Sequence, residues 1–150
     1  MVWLRKYTLV SLALAATAGT AALASVDTSP KPGGVYRLKP GIYVARGSSC
    51  AAPANAAIRR YDGRGISDAH SRACRARILS RKGSSFTVSQ SCIDAGTGPA
   101  PRVTERQTVT VQDALTFTQK TRGPGTTYSY CPIYQLPADL RKMAQCAPTL

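Results

Sequence analysis

The chain contains one histidine, His70, and no C-x-x-C pair among its five cysteines. A zinc site would have to gather scattered thiolates around His70, so none of the usual metal-ligand spacings is available. No G-x-S-x-G or comparable nucleophile motif is present. His70 sits in the polar run Ser67-Asp68-Ala69-His70-Ser71, which reads as a loop or strand end and not as a catalytic setting. The seven carboxylates are scattered, and no spacing puts two on one face for general acid–base work. Asp62-Gly63-Arg64-Gly65 has neither phosphate-loop nor calcium-loop spacing and reads as a turn. These absences argue for a non-enzymatic protein with no metal and no cofactor. No internal repeat is visible, and helical periodicity is absent until the last residues. After residue 24 no apolar run is long enough to span a bilayer.

What is present begins with an export signature. Arg5 and Lys6 precede an uncharged stretch from Tyr7 to Ala24 that contains Leu9, Val10, Leu12 and Leu14. Ala22-Leu23-Ala24 supplies small residues at the positions that a signal peptidase reads, so cleavage before Ser25 is expected. An uncleaved anchor is the alternative. Ser25, and not a cysteine, stands directly after the cleavage point, which argues against a lipoprotein. The expected location is the periplasm or the outside of the cell. Residues 25–34 are rich in Pro, Gly and Ser/Thr and read as a flexible lead. Residues 35–150 are long enough for one compact domain with a single core.

The whole chain carries a formal charge of +13, from 20 basic and 7 acidic residues. Such a field favours polyanions, although arginines also simply solvate the outer faces of strands. The densest stretch holds Arg59, Arg60, Arg64, Arg72, Arg75, Arg77, Arg81 and Lys82. Of these, Arg59, Arg60, Arg72, Arg75, Arg77, Arg81 and Lys82 are the candidate anion-binding residues, because guanidinium forks suit phosphate and carboxylate. Few aromatics interleave with them, so specific nucleic-acid recognition is not expected.

The body of the chain reads as short strands punctuated by Gly and Pro. Candidate strands cover 35–38, 41–46, 56–61, 72–80, 86–92, 103–111, 115–120 and 126–133, followed by a short helix from Pro137 to Gln145. Pro137 and Asp139 suit the start of that helix, and Arg141 and Lys142 suit its end. A three-residue loop Lys82-Gly83-Ser84 would place Cys74 opposite Cys92, Ala76 opposite Gln90 and Ile78 opposite Val88. Directly opposed cysteines lie at a separation that a disulfide tolerates, which predicts Cys74–Cys92. Arg75 and Arg77 would then share a face with Thr87, Ser89 and Ser91. A second hairpin centred on Asp113 would set Val111 against Leu115, Val109 against Phe117 and Gln107 against Gln119. Its other face carries Thr104, Arg106, Thr108, Thr110, Thr116, Thr118 and Lys120, so one side faces a core and the other faces water. Tyr128 and Tyr130 would share a face near Phe117 and fill the core. Cys50–Cys131 would tie the two ends of the meander. Cys146 is then unpaired, or replaces Cys50 as the partner of Cys131.

Antiparallel strands joined by hairpins in a chain of this size imply an all-β meander, an up-and-down barrel or a sandwich, with a short C-terminal helix. The Gly41-x-Tyr43 strand, the Tyr61-Asp62-Gly63-Arg64-Gly65 turn, the cysteine-bracketed hairpin and Cys131-Pro132…Leu136-Pro137 together resemble small exported proteins of Gram-negative bacteria, most of which have no assigned function. The plan is also similar to small lipocalin-like barrels, including inhibitors of lysozymes and proteases. The resemblance covers residues 41–141, includes no inhibitor loop signature and carries over no residue role. The expected function is binding of an anionic envelope component or a protein partner. One alternative is inhibition of an envelope-attacking hydrolase. Another is a structural envelope role with cross-linking through a free cysteine.

Overall fold

The computed structural model describes Asp27, residues 31–94 and residues 99–145. The expected leader over 1–24 and Cys146 lie outside the described residues. Eight antiparallel strands form one sheet: β1 (Gly41–Ala45), β2 (Ile58–Tyr61), β3 (Ile66–Ser67), β4 (Ser71–Lys82), β5 (Ser85–Asp94), β6 (Arg102–Asp113), β7 (Thr116–Lys120) and β8 (Thr126–Cys131). Their order is β3-β2-β1-β8-β7-β6-β5-β4, and the sheet curls into a nearly closed barrel. One helix, α1 (Ala138–Gln145), ends the described chain. Among the described residues no helix is long and apolar enough to cross a membrane.

The seam between β3 and β4 is closed by a side chain. Gln90 on β5 reaches across it: the Ile66 N–H donates to Gln90 Oε1 at 2.9 Å, and Gln90 Nε2 donates to the Ile66 carbonyl at 2.7 Å. The glutamine amide thus takes the place of a neighbouring backbone, and one ladder bond, Ala76 N–H to the Arg64 carbonyl at 2.8 Å, runs beside it. Gly65 permits this closeness. A Cβ there would sit 2.7 Å from the Cys74 carbonyl carbon and oxygen, so the two backbones meet only because that position has no side chain.

Alternation with period two sorts the side chains. The inward set includes Tyr43, Tyr61, Phe86, Val88, Val109, Phe117 and Tyr128, and Tyr36 and Leu38 from the preceding segment seal one end. A second, smaller core lies outside the barrel. There Ile42, Val44, Ile58 and Cys131 meet Leu136, Leu140 and Ala144, so α1 covers the outer face of β1, β2 and β8. Two disulfides are formed. Cys74–Cys92 pins β4 to β5, and Cys50–Cys131 joins the loop after β1 to the end of β8. Cys131 is therefore engaged by Cys50, and the alternative Cys131–Cys146 bond is not made.

Several sequence expectations need correction. Residues 33–38 are neither a loose lead nor a strand. Gly33 bridges Leu38, and the Val35 N–H donates to the Gly63 carbonyl at 2.9 Å. Gly34, at φ 78°, lies where any Cβ would strike Gly63, so it is a close-approach glycine and not a hinge. The β4–β5 hairpin keeps the expected pairs Ala76↔Gln90 and Ile78↔Val88, but a bulge at Leu79 shifts the tip to Lys82↔Ser85, leaving a two-residue turn. A second irregularity falls between Arg72 and Arg75, where Ala73 takes a left-handed φ of 49°. In the next hairpin the partners are Val111↔Phe117 and Val109↔Gln119, two residues from the expected register. The Asp113 carboxylate accepts the Leu115 N–H at 2.7 Å, which moves the turn to Ala114-Leu115. A slip of two preserves which side chains face inward. Strand β3 has no counterpart among the expected strands, because two residues are too few to show a period. Residues Asn55–Ala57 and Ile133–Gln135 are single 3-10 turns, so β2 starts later and β8 stops earlier than expected.

Candidate anion-binding face and barrel mouth

The seven candidate cations do not form one patch, because strand parity and the bulge send them to different places. Arg75 and Arg77 face outward and are exposed, opposite Ser91 and Ser89. Arg81 lies beyond the bulge on the Phe86 side, with its guanidinium 5.1 Å from that ring centre. Lys82 is exposed at the hairpin tip. Arg60 and Arg72 line a cavity of about 320 Å³ beneath α1, together with His70, Asp139 and Leu140. Arg59 has the inward parity of Tyr61 and stands over the Tyr128 ring at 4.8 Å.

The outward cluster includes residues that the basic stretch alone did not reveal. Strand β6 runs beside β5 with Ser89↔Arg106, Ser91↔Thr104 and Ile93↔Arg102. Arg77, Ser89 and Arg106 therefore form one cross-strand row, with Arg75, Ser91 and Thr104 beside it. The signal lay in the sequence as the inside-out alternation of 102–110. What was missing was the pairing of β5 with β6. Arg102 has a structural role. Its Nε donates to Ser91 Oγ at 3.0 Å, and its Nη2 donates to the Ala73 and Ser91 carbonyls, clamping the irregular part of β4. Asp94 and Glu105 have the opposite parity, and Asp113 closes the β6–β7 turn, so no carboxylate of β5 or β6 shares the arginine row.

The inward side of the same strands ends in a polar mouth of about 150 Å³, lined by Arg59, Gln90, Gln107, Gln119, Asp68, Asp94 and Glu105 among others. Gln90 and Gln107 are buried, 8% and 4% exposed, in a face otherwise given to apolar residues. Arg59 Nε donates to Gln119 Oε1 at 2.9 Å, and Gln119 Nε2 donates to Gln107 Oε1 at 2.6 Å. The Arg59 Nη1 donates to the Ile58 carbonyl at 2.7 Å, which holds the guanidinium in place. Burial opposes ionisation of Asp68, but hydrogen bonds from the His70 N–H and from the Ser71 hydroxyl and N–H, with the Arg59 charge, keep its carboxyl below the ordinary value. Contact between Asp68 and His70 runs through the His70 backbone N–H at 2.9 Å and not through the imidazole. It is a turn, and nothing in it resembles a catalytic pair.

The opposite end is aromatic. Tyr43 meets Phe117 edge-on at 5.1 Å, Phe117 stacks on Tyr128 at 5.3 Å, and Tyr36 meets Phe86 at 5.7 Å. Burial pushes Tyr36 and Tyr43 well above the ordinary phenol value, and pushes Tyr61 up to about 12.

No protein-family model matches this chain, and no curated protein or solved structure matches it either. The two disulfides fit a protein that matures outside the reducing cytoplasm.

Proposed function

We propose that this is an exported, non-enzymatic binding domain that docks on an anionic envelope polymer through the outward faces of β4, β5 and β6. Export would follow cleavage after Ala24, with the disulfides formed after translocation. The observation that carries the reading is the Arg77–Ser89–Arg106 row beside Arg75, Ser91 and Thr104. Neighbouring strands stand about 4.8 Å apart, so the two arginines flanking Ser89 are about 10 Å apart along the row. Guanidinium groups at that spacing can each fork onto a separate phosphate, sulfate or carboxylate, and the hydroxyls between them donate to the same oxygens. The long-range field of the whole chain adds to encounter rate.

The test uses heparin as a model polyanion. Its affinity for the disulfide-intact protein falls linearly on a log–log plot against salt. Arg75→Ala with Arg77→Ala weakens binding and reduces that slope by about 2, one for each lost ionic contact. Arg64→Ala, which removes a cation already paired with Asp62 at 3.4 Å, leaves the slope within about one contact of the parent. Binding indifferent to salt, or unchanged in the double variant, would sink this reading.

A further inference from the structure

The hydrogen bonds in the barrel mouth have a direction. A guanidinium can only donate, so Arg59 fixes Gln119 with its oxygen toward Arg59 and its amino group toward Gln107. Gln107 must then present its own oxygen to Gln119. Its Nε2 is left as the last donor of the relay, in a side chain 4% exposed, and no described residue accepts from it. The neighbouring amide, Gln90, is oriented by its two bonds to Ile66 and makes no hydrogen bond with Gln107. A buried amide donor without an acceptor is rare in folded proteins and is a position that a ligand oxygen satisfies.

The rest of the mouth specifies the ligand. Asp68, Asp94 and Glu105 line the same cavity and are exposed, so they form its rim, with Gln107 beneath. A simple anion entering to meet Gln107 and Arg59 passes Asp68 and Asp94, and also Glu105, whose Oε1 accepts from the exposed Arg122 at 3.2 Å. A simple cation is welcome at the rim and opposed by Arg59 further in. A molecule with a carboxylate at one end and an ammonium at the other satisfies both. About 150 Å³ is the volume of a cavity that holds a six-carbon ring, which limits the ligand to amino-acid size.

We propose that the barrel mouth binds a small zwitterion of amino-acid size, its carboxylate against the Gln107 amide and Arg59 and its ammonium at the Asp68, Asp94 and Glu105 rim. This site is separate from the arginine row on the outer face, and none of its residues is altered in the heparin test.

The experiment is an amide-resonance titration of the full disulfide-bonded protein with L-alanine, D-alanine, propionate and ethylamine. Either alanine shifts the side-chain NH₂ resonances of Gln107 and Gln119 in a saturable way, and propionate and ethylamine bind at least about tenfold more weakly, a difference of about 1.4 kcal/mol. Gln107→Leu removes the unsatisfied donor together with the acceptor of Gln119 Nε2, and the folded variant loses alanine binding by about tenfold or more. No shift at Gln107 with either alanine up to about 50 mM, a range that covers even weak binding, overturns the proposal. So does propionate binding as well as alanine. Shifts confined to residues outside the mouth overturn it whether or not the variant folds.

Discussion

On β5, β6 and β7 the inward positions at one end of the barrel are Phe86, Val109 and Phe117, whereas one or two pleats further along they are Gln90, Gln107 and Gln119. Strands and parity are shared, and Gln90 and Gln107 are as buried as the rings, but the chemistry changes completely. At the aromatic end the stabilisation is non-directional, from apolar area removed from water and from ring contacts. At the amide end each buried group needs a partner at a defined angle, and the identity of one residue is decided by what its neighbour can donate or accept. The aromatic end sets how stable the barrel is. The amide end sets how the barrel closes and what may enter it.

The largest effect should come from breaking the aromatic end. Phe117 has no exposed surface and touches both Tyr43 and Tyr128. Phe117→Ala should cost about 3–5 kcal/mol in denaturant unfolding, as truncation of a fully buried ring does. A loss below about 1 kcal/mol would mean that the rings are not packed as described. The amide end breaks differently. Gln90→Leu keeps the volume but leaves both the N–H and the carbonyl of Ile66 without their partner. At about 1–3 kcal/mol for each of the two orphaned groups, the expected cost is about 2–6 kcal/mol. The Ile66 amide should also lose its protection from hydrogen exchange while amides of β6 and β7 keep theirs. Equal loss in all strands would show that the seam is not a separate unit.

The smallest effects distinguish the ends by pH. Tyr61, with a folded value of about 12, contributes stability that is fully present below the phenol's unfolded value near 10 and is lost as pH rises through the folded one. Asp68 is depressed, so its contribution is present above the unfolded carboxyl value and is lost as pH falls through the folded one. Tyr61→Phe should make the alkaline limb of the stability profile shallower, with the raised Tyr36 and Tyr43 supplying the remainder, and Asp68→Asn should make the acid limb shallower. Each variant leaves the opposite limb as it was, and a variant that altered both limbs alike would deny the separation. Unfolding midpoints measured across the pH range provide the check.

Much of this barrel was legible in the sequence because parity survives errors of register. The β6–β7 hairpin was displaced by two residues, yet Val109, Val111 and Phe117 still fell on the inner face. The arginines were harder to place. Arg59 and Arg75 look alike in a basic stretch, but one lies beside Tyr61 in a strand of fixed parity and the other stands opposite Ser91. A single bulge at Leu79, which no residue pattern announced, moved Arg81 from the outer set to the Phe86 ring. Gln90, Gln107 and Gln119 did carry a visible signal, since each occupies a position where alternation calls for an apolar side chain. The directed relay from Arg59 to Gln107 was not visible, because it depends on diagonal contacts between strands whose register only the folded sheet fixes.

The outer surface has one more consequence. A β-barrel that lives in lipid must turn a continuous oily girdle toward the acyl chains. Here one flank is arginine, serine and threonine, and the other is already upholstered by α1 packed on Ile42, Val44 and Ile58. Neither of these flanks presents such a girdle, and on the proposed reading both turn to water.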